Sequence, residues 1–181
     1  LQSGLNTRAD DSAQEQITRM NSIVEYQLQR AATAGAASIG KAVDVGLLVN
    51  RIVDSLRKVY RDKNISVNLS IETGLVFKGD EGDLMEVLGN LLDNAYKWAD
   101  KTIEVKAVSN NKKLSVTVSD DGPGIAEDKS NELLQRGVRA DQQTPGHGIG
   151  LSIVLNIIQA YHGSLAINKS SSGGTQVVIE L

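Results

Sequence analysis

Between Asp44 and Leu181 the spacing of apolar residues switches repeatedly between helical and alternating periods, and this order of periods leaves few architectures open. Asp44 to Lys63 carries Leu47, Leu48, Ile52, Val53, Leu56 and Val59 on one helical side. Ile65, Val67, Leu69 and Ile71 alternate with polar residues, the pattern of a half-buried strand, and Leu75 to Lys78 reads as a second short strand. Asp83 to Trp98 is strongly helical. Thr102–Val108 and Lys113–Ser119 alternate on either side of Asn110-Asn111 and read as a hairpin. A polar, glycine-rich stretch leads into a helix over Ile149–Tyr161. Ser164–Asn168 and Gln176–Leu181 are strands around the Ser-Ser-Gly-Gly turn at 171–174. Hairpin-paired strands with helices between them predict an α/β (α+β) sandwich, in which a mixed, mostly antiparallel sheet is covered on one side by about three helices.

Ahead of this region, Asp11 to Ala34 places Ile17, Met20, Val24, Leu28 and Ala31 at intervals of three and four. Two readings of this extra N-terminal helix stand: a surface helix packed on the domain, or a bundle or dimerisation helix cut from its partner. Ala34–Gly40 is small and weakly patterned and reads as a linker. The domain boundary is therefore expected near residue 40, with the main domain over 41–181. Leu1-Gln2-Ser3-Gly4 has neither an initiator Met nor a signal pattern, and reads as a cut edge or fusion scar of a larger protein. No apolar run approaches the roughly 20 residues that cross a bilayer. The chain lacks cysteine, which rules out disulfides and zinc–thiolate sites, and its net charge of −3 gives no footing for nucleic acid.

Three segments carry chemistry. In Gly89–Trp98, Asn90, Asn94, Lys97 and Trp98 fall near one helical face, with Leu88, Leu91, Leu92 and Ala95 on the apolar side. Two amides one turn apart can offer oxygens to a hard cation, Lys97 a charge for phosphate, and Trp98 a flat surface for a base. The simpler reading is an amphipathic helix with solvated asparagines. Ser119-Asp120-Asp121-Gly122-Pro123-Gly124-Ile125 follows a strand; its glycines allow a tight turn and close ligand approach, and its Asp can accept from an exocyclic amine. Ordinary Asp-Gly-Pro-Gly turns look the same. Thr144-Pro145-Gly146-His147-Gly148-Ile149-Gly150-Leu151 runs into a helix, where bare backbone N–H groups and the helix terminus favour phosphate. It is neither a Walker loop nor a dinucleotide loop.

The order of these segments, followed by Gly173-Gly174-Thr175, resembles the N, G1 and G2 boxes of the GHKL ATP-binding superfamily over about residues 45–181. The wording is most similar to the PhoQ-type sensor histidine kinases. The resemblance implies a Bergerat-type ATP-binding sandwich with a lid over about 126–147, and ATP and Mg²⁺ as cofactors. It implies that Asp120 binds the adenine amino group and that Trp98 stands beside the base. Asn90 and Asn94 would hold Mg²⁺ and phosphates, and Lys97 and Arg139 would contact phosphates. Gly122, Gly124, Ile125, Gly146, His147, Gly148, Ile149, Gly150, Leu151 and Thr175 would complete the nucleotide site. His147 stands where the PhoQ type has Gln; it is read either as approaching the metal or, more simply, as a solvated loop residue. Leu133-Leu134 replaces the aromatic residues common in such lids, and Thr144 replaces a basic residue, which leaves Arg139 as the main lid cation.

Water-splitting members of the superfamily carry a Glu one helical turn before the metal-binding Asn; here Asn90 stands there, and an amide cannot accept a proton near neutral pH. Glu86 is one turn further back and is read as too far away to replace it. Phosphoryl transfer to a histidine is therefore expected over an ATPase or a purely nucleotide-binding module. The chain's two histidines, His147 and His162, lie outside any acceptor-like helix; His162 is read as a helix C-cap. The helix over 11–34 resembles the second helix of a dimerisation domain whose first helix bears the acceptor. The implied partners are that dimerisation domain, in a homodimeric parent, and a response regulator. The implied location is the cytoplasmic side of a bacterial inner-membrane sensor kinase, with no self-phosphorylation by this chain alone.

Overall fold

The computed structural model describes residues 42–125 and 149–181. The readings made for 1–41 and for the lid, including Leu133, Leu134, Arg139, Thr144, Gly146, His147 and Gly148, lie outside the described residues.

The elements are β1 (Ala42–Asp44), α1 (Val45–Val59), a 3₁₀ turn (Arg61–Lys63), β2 (Ser66–Ile71), β3 (Val76–Lys78), α2 (Glu81–Trp98), β4 (Thr102–Asn110), β5 (Lys113–Asp120), α3 (Ile149–Ala160), β6 (Ser164–Lys169) and β7 (Thr175–Glu180). Five strands form one sheet in the order β2-β4-β5-β7-β6, parallel between β2 and β4 and antiparallel elsewhere. The three helices and this mixed, mostly antiparallel sheet are the sandwich expected from the spacing.

Alternation sets the core face. Ile103, Val105 and Ala107 of β4 and Leu114, Val116 and Val118 of β5 are buried, while Glu104 and Lys106 are exposed. The helices answer with Leu48, Val49, Ile52 and Val53; Leu84, Val87, Leu88, Leu91, Leu92 and Ala95; and Val154, Ile157 and Ile158. Each of these Val, Leu and Ile side chains contributes about 1.5–3 kcal/mol by leaving water. Asp44 and Asp80 cap α1 and α2, accepting from Leu47 N at 2.9 Å and Asp83 N at 3.1 Å.

Three local expectations need correction. Residues 65–71 and 75–78 do not pair as a hairpin: β2 lies parallel to β4, and β3 pairs instead with β1. Gly74, at φ +73°, turns the chain out of the main sheet between them. The β4–β5 turn centres on Asn111 and Lys112, both left-handed at φ 50° and 67°, one residue later than read. Helix α1 stops at Val59 rather than Lys63. The chain tightens there, and the Lys63 ammonium reaches the carbonyls of Tyr96 at 3.0 Å, Lys97, and Ala99 at 3.5 Å. Lys63 thus caps the negative end of α2 from outside that helix.

Two tyrosines clamp α2. Tyr60 donates to Asp93 Oδ1 at 2.8 Å and stacks on Tyr96. Tyr161 donates to Asp83 Oδ2 at 2.8 Å, accepts from Asp80 N at 3.1 Å, and packs on Phe77. Burial first, and then the adjoining Asp93 or Asp83 carboxylate, pushes each phenol up to about 12; for Tyr161 the Asp80 N–H opposes this. The native state therefore keeps two protons that an unfolded chain releases near pH 10. Stability should hold up to about pH 10 and fall as pH rises from there toward 12. Urea midpoints across pH 9–11.5 check this, and Tyr161→Phe should roughly halve the slope.

Candidate nucleotide site

The site gathers at one end of the sandwich, where α2 ends, β5 ends, β7 starts and α3 starts. Asp120 is the last residue of β5 and only 6% exposed. Its Oδ1 accepts from Gly122 N at 2.9 Å and from Thr175 N at 3.1 Å, which leaves Oδ2 without a hydrogen bond among the described residues. Burial raises the Asp120 carboxyl above the usual range. The two N–H donors oppose the shift, and the charges of Asp121 and Asp100 add to it. A carboxylate held rigidly by one oxygen, with the other unengaged, is a fixed acceptor.

The turn after Asp120 is packed backbone to backbone. A Cβ on Gly122 would collide with the carbonyl of Trp98. Gly124 is left-handed at φ +74°, and its Cβ would lie 3.1 Å from the Gly173 carbonyl. Asp121 ties the turn to the chain after α2, accepting at Oδ1 from Asp100 N and Lys101 N, each at 3.0 Å. Its partial burial raises the carboxyl, but the N–H groups of Lys101, Thr102 and Asp100 outweigh that and hold it below the usual range.

On α2, Asn90, Asn94 and Lys97 are half-buried and Trp98 is 44% exposed, against the buried Leu88, Leu91, Leu92 and Ala95. Lys97 Nζ lies 3.9 Å from Asp93 Oδ2, so the carboxylate that holds Tyr60 also steadies this lysine. Asn90 Nδ2 donates to the Glu86 carbonyl at 2.7 Å and to Glu86 Oε1 at 3.1 Å. Its Oδ1 occupies the space where a Cβ on Gly150 would stand, at the first turn of α3. Leu151 is half-buried in that same turn. His162, at φ 53°, ends α3 as read, with Gly163 N bonding back to Ile158 O at 2.9 Å.

The structure thus joins Trp98, Asp120, Gly122, Gly124 and Thr175 around the turn after β5, and Asn90 with Gly150 where α2 meets α3. Asn94 and Lys97 lie on α2 between these two points, Ile149 and Leu151 in the first turn of α3, and Ile125 just after the turn. It also gives roles to two residues that were left out of the expected site: Gly174, named only within the Gly173-Gly174-Thr175 string, and Glu86, read as too far back to act as a base. A Cβ on Gly174 would strike the Asp120 carboxylate and carbonyl, and Glu86 holds Asn90. Helical spacing of four from Glu86 to Asn90 was the available signal for the second. No cluster of His, Cys, Asp and Glu with metal-site geometry exists among the described residues. A metal held here would therefore rest on amide oxygens and phosphates. That donor set suits Mg²⁺, which keeps most of its shell from water and substrate oxygens.

This chain belongs to the histidine kinase-, DNA gyrase B- and HSP90-like ATPase family, whose model matches residues 79–181. Among curated relatives it is similar to the two-component sensor PhoQ of Pseudomonas aeruginosa, 38% identical over 161 residues, covering 89% of this chain and 36% of that protein. It is similar also to the virulence sensor histidine kinase PhoQ of Salmonella typhimurium, 33% identical over 175 residues, covering 96% and 36%. The chain spans about a third of the length of these relatives. Among solved structures, a mycobacterial sensor histidine kinase, MprB, superposes with a TM-score of 0.68 at 25% identity, over 79% of this chain and 97% of that one. Full-length ShkA, solved with AMPPNP, gives 0.73 at 24% identity, over 99% and 38%, and bears on the fold.

Proposed function

We infer that this chain is the ATP-binding catalytic unit of a two-component sensor kinase, and that it directs the γ-phosphate of ATP to a histidine on a separate dimerisation domain. The observation that carries this reading is Asp120, a buried carboxylate fixed through one oxygen, in a turn whose Gly122 packs against the carbonyl of the exposed Trp98. That pair suits an adenine, whose amino group donates to Oδ2 while the ring lies against the indole. Lys97 and the amides at the start of α3 neutralise phosphate charge, with Arg139 of the lid as a further cation. Asn90 and Asn94 would hold Mg²⁺ through their amide oxygens, and the ion would supply charge neutralisation for the phosphoryl group in transfer.

The chain's own work is positioning and charge stabilisation. The attacking imidazole nitrogen comes from the partner domain, adenosine diphosphate leaves, and no base on this chain is required. The Glu86 carboxylate is engaged by Asn90 Nδ2, which supports transfer over hydrolysis. A unit of this kind works on the cytoplasmic side, where ATP is, and the phosphohistidine formed on the dimerisation domain passes its phosphoryl group to a response regulator.

The test is reconstitution. Incubated with γ-labelled ATP, this chain alone should remain unlabelled. With a separate histidine-bearing dimerisation domain of the PhoQ type, acid-labile, base-stable label should appear on that domain. Label on this chain alone, or equal phosphate release with and without the partner, would refute the reading.

A further inference from the structure

We propose that Glu86 is a positioning residue, which fixes the Asn90 amide so that its oxygen, and not its nitrogen, faces the metal and phosphates. The proposal rests on the assignment of Asn90 above and extends it to a residue outside the three nucleotide-binding segments.

A carboxamide is nearly symmetric in shape and opposite in chemistry at its two ends: one offers two N–H donors, the other an acceptor. An unrestrained Asn90 would present either end. Here the Nδ2 end meets two acceptors, the Glu86 carbonyl at 2.7 Å and Glu86 Oε1 at 3.1 Å. Turning the amide over would set Oδ1 against both. Two hydrogen bonds would be lost and three oxygens brought together, so the flipped form is disfavoured by at least about tenfold. On the other side the amide oxygen fits only because residue 150 has no side chain. Glu86 and Gly150 therefore act on the same group from opposite sides, one holding the nitrogen and the other making room for the oxygen.

Spacing explains why Glu86 can do this without binding the metal itself. Residues 86, 90 and 94 climb one stripe of α2 in four-residue steps, about 6 Å each. The carboxylate reaches the first amide and stops there. Its side chain is otherwise exposed, so changing it leaves the core untouched.

Binding of a fluorescent non-hydrolysable ATP analogue, measured in Mg²⁺ and again in EDTA, tests the idea. Glu86→Ala should weaken binding about five- to tenfold in Mg²⁺ and less than about twofold in EDTA, with the melting temperature unchanged. Glu86→Gln keeps a side-chain acceptor and should lie within about twofold of wild type in both media. Three results overturn the proposal: no loss for Glu86→Ala in Mg²⁺, equal loss in both media, or Glu86→Gln behaving like Glu86→Ala, which would assign the effect to charge. A wild-type affinity that ignores Mg²⁺, with Asn90→Ala equally silent, would instead remove the Asn90 assignment and this proposal with it.

Discussion

Asp120→Asn should weaken binding of an ATP analogue about 100-fold while leaving the domain at least as stable as before. The two halves have separate causes. The asparagine Oδ1 can still accept from Gly122 N and Thr175 N, so the turn keeps the bonds that shape it. The other end of the new side chain is an N–H₂ group, which points a donor at the adenine amino group, itself a donor. An acceptor is lost and a repulsion gained. For stability the sign runs the other way. Because burial raises the folded-state carboxyl, stability is fully present below the ordinary carboxylate range and falls as pH climbs through the raised value. At neutral pH the native protein therefore bears the cost of a buried charge, and the asparagine variant does not. From pH 3 to 7 the melting temperature of wild type should fall relative to that of Asp120→Asn, because the opposite slope from Asp121 is common to both. Unchanged nucleotide affinity would remove Asp120 from the adenine site.

The parts of this fold visible in the sequence are those where one local period decides the outcome. Leu84, Leu88, Leu91, Leu92 and Ala95 repeat at helical intervals, and all are buried. Ile103, Val105 and Ala107 alternate, and all face the core. Contacts between distant segments left no such trace. The pairing of Ile71 with Ala107 joins strands separated by a whole helix, and no turn residue announces it. Strand β1 is three residues long, too short for a period to register. The candidate site divides the same way. Asn90, Asn94, Asp120 and the glycines of the 122–124 turn stand in recognisable strings. Lys63 caps α2 from a turn more than thirty residues away, and Gly174 closes on Asp120 from the start of the neighbouring strand β7, distant only along the chain.

Gly174→Ala should cost both the fold and the ligand, and this separates geometry from chemistry at the adenine pocket. An added methyl would overlap the Asp120 carboxylate and carbonyl and lie 2.6 Å from Gly122 N. Two of those three neighbours are backbone, one at the end of a central strand and one in the packed turn beneath Trp98, so neither yields by a change of rotamer. Overpacking of this kind costs about 1–3 kcal/mol, and the backbone contacts place it at the upper end. For a unit of this size that corresponds to a fall in melting temperature of about 5–10 °C. Whatever shift relieves the overlap moves the Asp120 carboxylate, so affinity for the ATP analogue should fall by about 100-fold, as in Asp120→Asn, but now together with stability. Gly173→Ala is the comparison: its φ is +102° with nothing within 4 Å, so it should lose about 1 kcal/mol to backbone strain alone and keep most of its affinity. Combining Gly174→Ala with Asp120→Ala removes the carboxylate from the overlap and leaves the carbonyl and the Gly122 N–H. The double variant should therefore recover only part of the lost melting temperature. Full recovery would mean that the carboxylate alone makes the contact tight, and no loss in Gly174→Ala would mean that the turn does not hold Asp120 from that side.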